Sequence, residues 1–208
     1  PKMGGTLRIV PQGSLKSLDA QWTTLIVTAH VVRHTEEGLF QLDAGFAPQP
    51  MLVEDWDTSA DGLTWTFNLR KGIKFHDGRP VTASDIVGTF ARSGDKAGMW
   101  KRMLSDYGAV MSADGDSTVV VNIDTATGLV IDSLHTNQSF APYVVPEEVW
   151  KLPRTESAQV VIGTGPFKFG EWLPGDRWTA HRWDDYAIRS DESSALAGAH
   201  KVYLDSIE

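Results

Sequence analysis

The sequence predicts a mixed α/β fold, and three observations predict it. Three pairs of apolar-alternating runs are each joined by a short Asp/Gly- or Pro/Gly-containing turn, which is the pattern of β-hairpins. Between them lie stretches with apolar residues at helical spacing, one of them opened by a Thr and an acidic residue three positions apart. The segment Trp65–Phe90 contains both patterns in turn: a strand, a tight loop and a capped helix.

Taken in order, Thr6–Pro11 reads as a strand, followed by a loop at Gly13 and Ser14. Residues 24–37 read as a helix, with Leu25, Ala29, Val32 and Leu39 near helical spacing and Gly38 as its stop. Phe46–Pro50, with two prolines, reads as a linker. Leu52–Trp56 and Leu63–Leu69 form the first hairpin, turning at Ser59–Gly62. His76–Pro80 is a loop in which Asp77 is suited to bond backbone amides beside Gly78. Thr82 is the N-cap of a helix reaching Arg92, with Asp85 completing a capping box, and a second helix covers Lys96–Leu104. Gly108–Ser112 and Thr118–Ile123 make the second hairpin. Gly128–Leu134 reads as a short helix, Tyr143–Val145 as a buried strand, and Pro146 opens another helix at a position that tolerates proline. Residues 151–162 are weakly patterned. Phe167–Trp172 and Trp178–Trp183 form the third hairpin, Ser190–Ala199 a loop or short helix, and Lys201–Ile207 a strand that needs neighbours.

Composition narrows the function classes. The 208 residues carry a formal charge of −8, which disfavours nucleic acid and an anionic membrane surface as partners. There is no cysteine, so disulfides, thiol nucleophiles and Cys-ligated metals are excluded. No apolar run approaches the roughly 20 residues needed to span a bilayer, and no signal-peptide pattern is present. Phosphate-loop, Gly-x-Ser-x-Gly and His-Glu-x-x-His patterns are missing; Gly163-Thr164-Gly165-Pro166 lacks the third glycine of a dinucleotide fingerprint. His30, His34 and Glu37 stand at i, i+4 and i+7 of the expected helix, a spacing that can suit a metal site but, with no His-Glu-x-x-His and no third ligand in recognisable context, reads first as a polar helix face.

Several motifs carry a resemblance. Phe75-His76-Asp77-Gly78-Arg79-Pro80 with Thr82-Ala83-Ser84-Asp85-Ile86 is similar to the F-x-D-G-x-P-x-T-A-x-D-V segment of the bacterial extracellular solute-binding proteins of the peptide/nickel type, family 5, the receptors of ABC importers. Gly163–Gly175 resembles the family's G-T-G-P-Y-x-x-x-x-W-x-P-G, Leu52–Asp61 its L-A-x-x-W-x-x-S-x-D-G, and Leu18-Asp19 its L-D-P, with Ala20 in place of proline. Gly4–Ile9, Thr35–Phe40 and Trp183–Tyr186 match weaker family segments, so the resemblance spans nearly the whole chain in order.

The resemblance implies a periplasmic-binding-protein-like fold of type II, in its large class with an inserted domain. Residues 1–43 and 156–208 would form a discontinuous first lobe, and 44–155 the inserted small domain. The second lobe would be missing, making the chain an N-terminal fragment. It further implies noncatalytic binding of a small solute, with a short peptide the leading candidate, for delivery to ABC transporter permease subunits. No cofactor and no metal are implied. The place would be the periplasm, or the extracellular face of a membrane approached only through the permease. Ligand contacts are expected at Trp22, Thr23, Trp100, Gln138, Ser139 and Phe140, the regions that border the cleft in similar proteins, while Trp56, Trp65, Trp172 and Trp183 are expected in cores. No arginine lies between Asp132 and Val145, where nickel- or haem-type relatives often have one. The rival readings are a metal-dependent hydrolase using His30 and His34, and a sensory interaction module.

Overall fold

The structure is a computed structural model and describes residues 2–94, 96, 98–137, 140–159 and 161–208. Two four-stranded sheets organise it. In the first, β1 (Thr6–Leu7) pairs in parallel with β10 (Ser206–Ile207), which pairs antiparallel with β9 (Arg177–Arg182), and β9 with β8 (Phe167–Leu173). The two ends of the chain thus meet in one sheet. Its core is Leu18, Val161, Phe167, Trp178, Ala180 and Ile207. The strands at the termini are shorter than expected. Gly4 and Gly5, with φ of 95° and 89°, precede β1, and pairing there continues through irregular bonds such as Gly4 N–H to the Tyr203 carbonyl at 2.7 Å.

The second sheet, all antiparallel, has the order β4 (Val53–Thr58), β5 (Thr64–Leu69), β7 (Thr118–Asn122), β6 (Val110–Asp114). Alternation sets its faces: Phe67 and Leu69 on β5 and Val119 and Val121 on β7 are buried. Helix α2 (Ala83–Ser93) closes that face with Ala83, Ile86 and Phe90. It starts as predicted. Thr82 Oγ1 accepts from Asp85 N–H, and Asp85 Oδ2 accepts from Thr82 N–H at 3.0 Å, so two otherwise orphaned donors are satisfied. Helices α3 (Met99–Tyr107), α4 (Leu129–Ser133) and α5 (Glu147–Trp150) complete the unit. Gly108 ends α3 in the left-handed region at φ 59°, with Ala109 N–H returning to the Met103 carbonyl.

Three expectations are corrected. Helix α1 covers only Ile26–Val32, not residues 24–37; it closes with tight bonds from His34 N–H to Val31 O and Thr35 N–H to Val32 O. The expected linker at 46–50 is instead the strand β3 (Pro48–Pro50), paired with β2 (Phe40–Leu42). Proline survives there because the ribbon has only two strands and each proline nitrogen can face away from the partner. Tyr143–Val145 is buried but joins no sheet. Its backbone is satisfied piecemeal, by the Glu37 carbonyl, the Gln21 amide and the Thr89 hydroxyl. Leu39 and Phe40, on the N-terminal side of the expected boundary at 43/44, are fully buried in the core around Phe67.

Candidate functional site

The strongest sequence motifs meet at the junction of the two sheets. His76 is buried there. Its backbone N–H donates to the Gly163 carbonyl, its Nδ1 accepts from Gly163 N–H at 3.2 Å, and Nε2–H donates to the Gly165 carbonyl at 3.0 Å. One imidazole therefore ties the His-Asp-Gly loop to the Gly-Thr-Gly-Pro turn, and both bonds are met only by the neutral ring protonated at Nε2. Burial lowers the His76 pKa to about 4, further aided by Lys168 and opposed by the Gly165 bond and Asp77. Asp77 accepts from Arg79 N–H and Nε–H, so it fixes its own loop.

A pH dependence follows. A histidine with a lowered folded pKa contributes stability in full above its ordinary value near 6.5 and loses it as pH falls toward 4, a difference of about 3 kcal/mol. Glu36 and Glu37 act in the opposite sense, because burial raises both pKa values and protonation then favours the folded state. The expected result is that the stability gap between the native chain and His76→Gln, measured by denaturant unfolding, is constant above pH 6.5 and narrows between 6.5 and 4. Parallel curves throughout would contradict it.

Asp19 holds the second junction. Its carboxylate takes both terminal nitrogens of Arg92, at 3.1 and 2.7 Å, with both side chains almost wholly buried. The same carboxylate accepts from Gln21 N–H at 3.0 Å and Ala158 N–H at 2.8 Å, joining the first segment, α2 and the returning chain. The Asp19 carbonyl accepts from Trp22 and Thr23 N–H. This turn projects Trp22 outward, 41% exposed, with Thr23 half-buried beside it.

The predicted ligand residues are only partly brought together. Lys96 links them. Its ammonium donates to the Gln21 carbonyl at 3.1 Å and lies 5.3 Å from the centre of the Phe140 ring. Phe140 itself is half-buried, at φ 52°. Lys96 therefore bridges Phe140 and the turn that carries Trp22 and Thr23, so residues of three separate segments make up one candidate wall. Sequence reading missed Lys96 because nothing periodic marks it; it lies in a short Gly/Asp stretch between two helices. Gln138 and Ser139 lie outside the described residues.

Trp100 corrects the expectation of an exposed cleft residue. It is 5% exposed, packed edge-to-face on Phe90 at 5.1 Å and grouped with Met103. Trp100 and Met103 stand at i and i+3 of α3, a core-facing stripe that the sequence already held. Trp65 and Trp172, expected in cores, are half-buried and pack against the two core clusters. Trp56, expected in the core, is 40% exposed: it is paired opposite Phe67 but on an edge strand.

His30, His34 and Glu37 do not share a face, because α1 ends at Val32. Glu37 instead accepts from the Tyr186 hydroxyl at 2.5 Å and the Thr164 hydroxyl at 3.1 Å, while His34 packs edge-on against Phe167. Among the described residues no three His, Cys, Asp or Glu side chains are grouped to hold a metal ion. A separate cavity of about 620 Å³ lies under α1, between the chain after β1 and the β8–β9 turn, with Val27, Val31, Trp172 and Trp178 in its walls. No helix of the described residues is long and apolar enough to cross a membrane.

The wall pairs the exposed Trp22 and the half-buried Phe140 with the Lys96 ammonium, aromatic and polar groups of the kind that line small-molecule sites. Comparison with known proteins agrees with the motifs. Residues 47–208 match the model of the bacterial extracellular solute-binding proteins, family 5 Middle. A probable peptide ABC transporter periplasmic-binding protein of Sinorhizobium fredii is 34% identical over 171 residues, covering 81% of this chain and 32% of that protein. The periplasmic oligopeptide-binding protein OppA of Escherichia coli is 28% identical over 196 residues, covering 83% and 35%. Among solved structures, AgaA of A. tumefaciens R10 in complex with agropinic acid superposes with a TM-score of 0.78 at 26% identity, covering 98% of this chain and 39% of that one. The oligopeptide-binding protein AppA of Bacillus subtilis, with a nonapeptide, gives 0.77 at 24% identity, covering 100% and 40%, and shows the shared fold. The chain spans about a third of the length of these curated relatives. With 162 consecutive residues of 208 (47 to 208) inside the family model, and both junction motifs in place, the chain belongs to the family 5 bacterial extracellular solute-binding proteins.

Proposed function

We propose that this chain is part of a noncatalytic receptor in the periplasm or on the outer face of the cell membrane. The receptor captures a small solute, with a short peptide the leading candidate, and delivers it to the permease of an ABC importer. Family membership carries the reading, and the exposed wall of Trp22, Thr23, Lys96 and Phe140 supplies a surface consistent with it. Two of the relatives are named for peptides, whereas the structural neighbour AgaA was solved with agropinic acid.

Residues 1–43 with 156–208, and 44–155, would be the two parts of one side of the binding cleft. The other side would come from a second lobe, as the one-third coverage of the relatives suggests. Contacts made only when the lobes close on the solute would shift the open–closed equilibrium. The aromatic faces of Trp22 and Phe140 would then be desolvated by the solute, and closure would be what the permease reads.

The test is mass spectrometry of solutes released by unfolding the full-length protein after purification. Short peptides in about one-to-one ratio are expected. Release of nothing, together with failure to retain any member of a peptide mixture, would refute the reading.

A further inference from the structure

The wall around Trp22 contains a lysine that pairs with no carboxylate among the described residues. We infer that Lys96 selects for solutes that place a carboxylate against the Trp22–Phe140 wall. The inference rests on the solute-receptor reading above and adds a substrate class to it.

Four observations carry it. An ammonium has three N–H donors, and Lys96 gives one to the Gln21 carbonyl at 3.1 Å. Among the described residues it makes no second hydrogen bond and has no carboxylate within 4.0 Å. Asp19, whose charge acts on Lys96, is engaged by both terminal nitrogens of Arg92 and by two backbone N–H groups. Among the described residues the wall therefore carries a cation without a carboxylate partner of its own, in a chain whose net charge is −8.

The position is also pre-organised. The Gln21 carbonyl and the Phe140 ring hold the amine from two sides, so less side-chain freedom remains to be lost on binding than for a free surface lysine. Partial burial and the neighbouring Arg92 disfavour the charged amine, in that order, with Asp19 opposing them. A carboxylate arriving at the wall would relieve both effects. A neutral amide accepts from the same ammonium but brings no opposite charge, so the carboxylate adds an ion–ion attraction that the amide lacks. Discrimination of about tenfold between a carboxylate and its amide is expected.

The carboxylate could come from an acidic side chain or from a peptide's C-terminus, and the experiment separates the two. Full-length protein, stripped of solute by unfolding and refolded, is incubated with an equimolar pool of alanine-based peptides of two to five residues. Each carries Glu or Gln at one position, and each is present as free acid and as C-terminal amide. Peptides retained on filtration are counted by mass spectrometry. Carboxylate-bearing peptides should be retained about tenfold over the neutral Gln amides, and the two acidic arms report which carboxylate is read. Lys96→Gln should abolish the preference and Lys96→Arg should keep it, with both variants melting within a few degrees of the native protein. Retention without charge preference, or a preference undiminished in Lys96→Gln, would overturn this inference alone. Retention of no peptide at all would overturn the peptide reading and this inference with it.

Discussion

Asp19→Ala is expected to destabilise the chain by about 3–5 kcal/mol, the range found when one partner of a buried ion pair is removed. Arg92 would remain almost wholly buried, left among the described residues with the Gln21 side-chain oxygen at 3.1 Å and the Glu156 carbonyl at 3.2 Å as acceptors. Its Nε has no partner among the described residues even in the native chain, so it has no reserve. Gln21 and Ala158 would each lose the acceptor for a backbone N–H. The second substitution matters as much as the first. Arg92→Met in the Asp19→Ala background removes the stranded charge, so the double variant should recover much of the loss while the two orphaned N–H groups keep recovery incomplete. Denaturant midpoints of the native chain, both single variants and the double variant close the cycle. A loss under about 1 kcal/mol in Asp19→Ala would mean that the pair is not buried as described.

The sequence was most legible where local chemistry alone decides structure. The Thr82/Asp85 box, the Ser59–Gly62 turn and the alternation of Trp65, Phe67 and Leu69 each fix an element without reference to anything distant. Legibility failed where a partner decides. Pro48 and Pro50 look like a linker until Phe40–Leu42 supplies a strand to pair with. Val202–Ile207 looks like a full strand, but β1 offers only Thr6 and Leu7 in register. The site was less legible still. Trp22 is presented by a turn that Asp19 organises, as the Leu-Asp motif hints, whereas Trp100, though near a helix start, is turned into the core by its i, i+3 relation to Met103. Lys96 could not be found from sequence, because its role depends on Gln21 and Phe140, 75 and 44 positions away (96 − 21 and 140 − 96).

Gly163→Ala should be the other severe lesion, and its reason is close approach rather than backbone freedom. A Cβ built on Gly163 would lie 1.9 Å from the Thr35 carbonyl oxygen and 2.8 Å from Glu36 Cγ. Neither neighbour can yield cheaply. The Thr35 carbonyl accepts from Gly165 N–H at 3.0 Å, and Glu36 is buried beside the Asp19–Arg92 pair. Moving the Gly163 backbone instead would break its two bonds to His76, which join the sheets. Overpacking of this kind costs about 1–3 kcal/mol where side chains can shift, and more where backbone must; a loss of about 3 kcal/mol or more is expected. Gly128→Ala is the control, since its φ of −78° suits any residue and nothing lies within 4 Å of its added methyl. It should be neutral, or stabilising by up to about 1 kcal/mol, through lost freedom of the unfolded chain. Equal midpoints for the two variants would show that the turn does not press against Thr35. The first glycine of the Gly-Thr-Gly-Pro motif would then need another reason for being there.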